Sequence, residues 1–235
     1  MSHRFRIALL PGLDGTGELL KGFLDALPPD VDATVVSYPT NHFMDFVELV
    51  EHANLQLSKY MPDVILAESF SGPIAFQLVA GPLRHTKLLI LCASFLTNPR
   101  PISLRLARFL PLGLVLKLPI PEFPLRWLCF DQPTAAETIS LFRTAISRVP
   151  NSVLAARLCA LGKLKPPTSI CDTQTVLLRP RCDKLIPKDH TELTRSYFRN
   201  VEIIDIDGPH FLLQSRPIEA AREICLTVDG YLFAR

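Results

Sequence analysis

One stretch constrains this chain more than any other: Asp63-Val64-Ile65-Leu66-Ala67-Glu68-Ser69-Phe70-Ser71-Gly72-Pro73-Ile74-Ala75. Val64, Ile65 and Leu66 form a continuous apolar run, the pattern of a strand covered on both faces. From Gly72 onward the apolar residues Ile74, Leu78 and Val79 return at helical spacing. The period switches from strand to helix within a few residues, and Ser69 stands at the switch. Two positions away on either side are the small residues Ala67 and Ser71. Side chains at those two positions face each other across a tight strand-to-helix turn, so bulky ones would collide. Such a corner pushes the serine hydroxyl into the open.

The same alternation runs through most of the chain. Apolar runs predict strands over residues 6–10, 31–38, 64–66, 87–92, 174–179 and 201–206. Between them, helical periodicity predicts a helix through Leu19, Phe23 and Leu27, and another through Phe43, Phe46, Val50 and Leu57. Further helices are predicted through Leu193 to Phe198 and from Pro217 on, the last with Ile218, Ala221, Ile224, Cys225 and Val228 on one face. Alternating strands and helices with right-handed crossovers make a mostly parallel sheet of six strands, with helices on both faces. The alternation stops near residue 97 and resumes after about 167. That stretch is rich in leucine and broken by prolines at 99, 101, 111, 119, 121, 124, 133 and 150, which suits short helices, for instance over 102–110 and 134–149.

Composition narrows the class. The length of 235 residues fits one α/β domain better than two. A net charge of +2 argues against a dedicated nucleic-acid binder. The six cysteines are scattered, with no CxxC pair, and no two histidines fall at ligand spacing. Free thiols in a reducing compartment such as the cytoplasm are therefore expected, with no metal site. The first residues mimic a signal peptide, but the apolar run is short and ends in Pro11-Gly12, so a strand is the better reading. The run over 110–118 is too short and too interrupted by prolines and Lys117 for a membrane span.

Several loops at the carboxyl ends of the predicted strands carry chemistry-bearing residues. After the first strand comes Pro11-Gly12-Leu13-Asp14-Gly15-Thr16-Gly17, whose glycines let backbone N–H groups turn toward one point. It fits neither GxGxxG nor a P-loop with its lysine. After the strand over 174–179 comes Asp183, followed by Ile186-Pro187, where a turn aspartate capping a helix is the plainer reading. After the last strand comes Asp207-Gly208-Pro209-His210. Of the six histidines, His210 is the one directly behind a predicted core strand.

Residues 67–71 resemble the nucleophile elbow, Gly-x-Ser-x-Gly, of the α/β-hydrolases, with Ala67 and Ser71 in place of the glycines. Taken alone the pentapeptide also fits a serine in an ordinary loop. The family's chain order of serine, acid and histidine is matched by Ser69, Asp183 and His210. The resemblance implies that Leu13 and Phe70 supply the oxyanion N–H groups, and that residues 97–167 form a helical cap within one domain whose core is 1–96 and 168–235. It implies a compact version without the usual first two strands. The implied activity is hydrolysis of a carboxylic ester or acyl thioester through an acyl-enzyme, with no cofactor. An acyltransferase using the same triad and a non-catalytic ligand-binding protein are the alternatives.

The cap is also the most basic part of the chain, with ten lysines and arginines against three acidic residues between 97 and 168. Arg105 and Arg108, three apart on the predicted helix, and the cap aromatic Trp127 are candidate substrate contacts. A basic rim over an apolar pocket suits an acyl chain on an anionic carrier, although the same arginines also serve to keep a leucine-rich cap soluble.

Overall fold

The computed structural model describes residues 3–99 and 121–233. Among them six strands form one sheet: β1 (Phe5–Leu10), β2 (Val31–Val35), β3 (Val64–Glu68), β4 (Leu88–Cys92), β5 (Gln174–Pro180) and β6 (Val201–Ile206). All neighbours pair in parallel, in the order β2-β1-β3-β4-β5-β6. The predicted second strand is shorter than expected. It ends at Val35, and after one more ladder bond, from Val36 N–H to the Leu9 carbonyl, the chain turns away through Ser37 and Tyr38.

Alternate residues of the central strands feed two separate cores, because successive side chains point to opposite faces. Ala8, Leu10, Ile65, Ala67, Leu89 and Leu91 pack on one face with α2 (Phe46–Leu57) and α3 (Gly72–Ala80). Ile7, Leu9, Val64, Leu66, Leu88 and Ile90 pack on the other with α1 (Lys21–Ala26) and the C-terminal helix. Every residue of β3 and β4 is buried, whereas the edge strands β2 and β6 are largely half-exposed. A continuous apolar run thus marks a central strand and a mixed one an edge.

Between β4 and β5 the described chain forms α4 (Glu122–Cys129), α5 (Ala136–Ser147) and α6 (Asn151–Gly162). The predicted helix over 134–149 is α5, begun two residues later, and the one over 102–110 lies outside the described residues. A satellite core of Leu125, Phe130, Ile139, Phe142 and Ala145 seats α4 and α5 on Leu19 and Phe211. After β5 come α7 (Lys188–Arg195), α8 (Leu212–Ser215) and α9 (Pro217–Leu232). Helix α7 starts directly behind Pro187 and ends at Arg195, short of the Phe198 to which helical periodicity runs. On α9 the buried face is Ala220, Ala221, Ile224, Cys225 and Val228. Ile218, expected there, lies in the first turn and is 72% exposed.

The topology decides where a site can form. The chain runs from β1 outward to β2, then crosses back to β3 on the other side of β1. At this reversal the loops leaving β1 and β3 part to opposite faces and open a crevice at their carboxyl ends. The glycine-rich loop and Ser69 both lie there. Among the described residues no helix is long and apolar enough to cross a membrane.

Candidate active site

Ser69 follows the last residue of β3 and holds φ at 47°, a left-handed conformation that side chains disfavour. The strain turns the chain sharply into α3. Gly72 makes the turn possible, since a Cβ there would come within 2.5 Å of the Phe95 carbonyl oxygen. The Ser94 hydroxyl donates to the Ser69 carbonyl at 2.6 Å, backing the corner from the loop after β4.

The three residues expected to cooperate meet in space. His210 Nε2 lies 3.0 Å from Ser69 Oγ, and His210 Nδ1 lies 2.9 Å from Asp183 Oδ2. Since a carboxylate can only accept, Nδ1 carries the proton and donates to Asp183, leaving Nε2 free to accept from the serine hydroxyl. Asp183 Oδ1 accepts from the N–H groups of Leu185 and Ile186 at 2.8 and 3.0 Å, so the carboxylate is fixed from both sides. The loops carrying acid and base are themselves joined, with the Cys182 N–H donating to the Gly208 carbonyl at 3.0 Å. The side chains of Asp183 and His210 are each only 5% exposed.

Leu13 and Phe70 both line a cavity of about 270 Å³ that opens on Ser69 and His210. Leu19, Phe142, Ile146, Leu161 and Phe211 line much of the rest, so the wall is almost wholly apolar. Helices α5 and α6 supply part of this wall, which explains why a leucine-rich insertion sits between β4 and β5. Trp127 does not line the cavity. It is 58% exposed on α4, with Lys184 Nζ 4.3 Å from its ring centroid. Phe130 is buried among Phe142 and Phe211, a packing role. Arg105 and Arg108 lie outside the described residues. Of the ten basic residues counted between 97 and 168, Arg126 pairs with Glu122, Arg148 pairs with Glu18, and Arg157 is buried, which takes these three away from a free basic rim.

Four residues support the site through contacts that the sequence does not reveal. Glu68, next to the serine, is 3% exposed, and burial raises its carboxyl pKa to about 7. Gln214 Nε2 donates to it at 3.2 Å, which opposes the shift, and the nearby Asp14 adds to it. Ser71 is fully buried, with its hydroxyl bonded to the Pro11 carbonyl and to Tyr38 Oη. Tyr38 is buried too, and desolvation drives its phenol pKa upward. The fourth is Arg157. A lone arginine among Val153, Leu154 and Leu161 on one helical stripe is the signal that could have found it.

No protein-family model and no curated protein matches this chain. Solved structures do. A membrane phospholipase A described as a bacterial virulence factor superposes with a TM-score of 0.79 at 17% identity, covering 97% of this chain and 80% of that one. A thermophilic esterase from Thermogutta terrifontis gives 0.76 at 15% identity, over 97% of this chain and 90% of that one. The RedJ thioesterase of the prodiginine biosynthetic pathway in Streptomyces coelicolor gives 0.67 at 18% identity, over 93% and 84%. The six parallel strands, their order and these superpositions establish that the chain has the α/β-hydrolase fold.

Proposed function

We propose that the protein is a serine hydrolase that cleaves a carboxylic ester or thioester carrying an apolar acyl group. The observation that carries this is the continuous relay from Ser69 Oγ through His210 to Asp183, opening on an apolar cavity. Structural neighbours described as an esterase, a thioesterase and a putative lipase support the same chemistry.

Ser69 Oγ attacks the acyl carbonyl while His210 Nε2 takes its proton. The positive charge that forms on the imidazole is held by the carboxylate of Asp183, whose two N–H donors keep it aimed. The N–H groups of Leu13 and Phe70 receive the oxyanion. As the tetrahedral intermediate collapses, His210 returns the proton to the leaving alcohol or thiol. A water molecule then repeats the sequence on the acyl-enzyme, giving up its proton to His210 and releasing the acid. The acyl chain lies in the cavity between the sheet and helices α5 and α6.

The test is labelling of the purified protein with a fluorophosphonate, followed by turnover of p-nitrophenyl esters and acyl thioesters of graded chain length. Labelling at Ser69 is expected, with kcat/KM rising as the chain lengthens until the cavity is filled. Ser69→Ala should lose both labelling and on the order of 10⁴-fold or more in kcat. Persistent labelling of Ser69→Ala would overturn the assignment. Adding an alcohol acceptor separates hydrolysis from acyl transfer by the product formed.

A further inference from the structure

The side chain of Arg157, on α6, is buried to 1% exposure and makes no salt bridge among the described residues. Its guanidinium is spent on backbone carbonyls. Nη1 donates to Leu13 O at 2.8 Å and to Asp14 O at 2.7 Å, and Nη2 donates to Pro39 O at 2.9 Å. Nε is buried with no partner among the described residues. The carbon of the guanidinium stands 5.9 Å from the ring centroid of Tyr38. An arginine so placed loses its hydration and recovers only carbonyl dipoles, a ring face and the nearby Asp14 charge.

Two of the three carbonyls belong to the loop that presents the Leu13 N–H. Three carbonyl oxygens converging on one point repel each other unless a cation sits between them. Gly15 closes the same loop, its N–H bonding the Gly12 carbonyl at 3.1 Å and its carbonyl accepting from Tyr38 N–H at 2.7 Å. The planar trans peptide makes the Leu13 N–H point opposite to the Gly12 carbonyl, so fixing one aims the other. Gly15 is needed for this approach. Its φ is 71°, and a Cβ there would come within 2.6 Å of Arg157 Nη1. The guanidinium therefore ties α6, which forms one wall of the acyl cavity, to the loop that aims an oxyanion donor.

We propose that Arg157 is a positioning residue that holds the Leu13 N–H in its oxyanion-binding orientation, making the catalytic rate depend on the docking of α6. The proposal rests on the serine-hydrolase reading given above. Arg157 touches no reacting atom, since it acts through the Leu13 and Asp14 carbonyls. The consequence is a transition-state effect. Ground-state binding in the apolar cavity stays, while stabilisation of the oxyanion falls.

The experiment compares wild type, Arg157→Ala and Arg157→Lys with a p-nitrophenyl ester, with the serine labelled to completion by a fluorophosphonate to count competent sites. Arg157→Ala is expected to keep the full complement of labelled serine and a nearly unchanged KM. Its kcat per titrated site should fall by about 100-fold, the scale of losing one oxyanion donor. Affinity for a trifluoromethyl ketone, whose hemiketal oxygen occupies the oxyanion position, should fall in step with kcat. Millimolar guanidinium should restore part of the kcat of Arg157→Ala and none of that of Ser69→Ala. Arg157→Lys, which keeps the charge and loses the fork, should fall between. A lower count of labelled serine with normal turnover per site and no response to guanidinium would reduce Arg157 to a packing residue and overturn the proposal. Should Arg157→Ala fail to fold, Arg157→Lys and Gly15→Ala carry the same test, each expected to lose kcat and ketone affinity together. Wild-type protein that neither labels nor turns over would instead remove the hydrolase reading, and this proposal with it.

Discussion

Replacing Glu68 by glutamine should make the protein more stable, by an amount that grows with pH. The carboxyl is buried next to Ser69, and its pKa stands at about 7 in the fold against 4.5 for the exposed group, chiefly because burial disfavours the charged form. Below 4.5 both folded and unfolded chains carry the proton, so this group contributes no pH dependence. Between 4.5 and about 7 the folded protein holds a proton that the unfolded chain has released, so stability falls as pH rises through that window. Above it the full cost persists, about 3 kcal/mol from the separation of the two values. Glutamine has the same shape, keeps an acceptor for the Gln214 amide, and does not ionise. Urea unfolding of wild type and Glu68→Gln at steps across the window gives a difference curve in which the other titrating groups largely cancel. The advantage of Glu68→Gln should widen by about 3 kcal/mol from the low end to the high end. A difference independent of pH, or one that narrows as pH rises, would refute the reasoning.

Three further outcomes are expected. Asp183→Asn should fold normally and lose about 10⁴-fold in kcat, because an asparagine no longer selects the His210 tautomer with its proton on Nδ1; near wild-type kcat would place the acid elsewhere. Ser69→Gly should be more stable than Ser69→Ala by about 1 kcal/mol in chemical denaturation, because only glycine adopts a φ of 47° without cost; equal stabilities would mean that the corner is not strained. Gly72→Ala should lose about 2 kcal/mol or more, since its methyl group meets the backbone carbonyl of Phe95 as well as the Ser94 hydroxyl, and a neutral midpoint shift in thermal unfolding would contradict that packing.

The sheet and the relay were legible because both follow from short-range signals joined by one topological rule. Apolar runs such as Val64–Glu68 and Leu88–Cys92 announce strands buried on both faces. Once the strands are parallel, every loop after a strand lies at one edge. Ser69, Asp183 and His210, each directly behind a strand, are then brought to that edge without knowledge of any contact. Helix periodicity, in contrast, names an apolar face without naming what it covers. It counted Ile218 as buried, although that residue is exposed at the first turn of α9, and the aromatic content that made Trp127 a candidate contact likewise names no cavity.

What tertiary structure alone decided is the support behind the relay. Glu68 reads as one polar residue at a strand's end, and its carboxyl becomes a buried acid only in the packed fold, where Asp14 arrives from a loop and Gln214 from a helix distant in sequence. Tyr38 reads as the end of a strand and Ser71 as a small residue of a tight turn, yet they join the first and third strand ends through the Pro11 carbonyl. Arg157 reads as one cation among many in a basic insertion, and its partners are backbone carbonyls, which every residue possesses and which no side-chain pattern marks. A strand's burial is set by its own run of residues, so the sequence by itself determined the sheet and the edge where the chemistry gathers. A hydrogen bond to a distant carbonyl is set by how helices settle on that sheet, so the aim of the loop facing Ser69 was decided only by the packed fold.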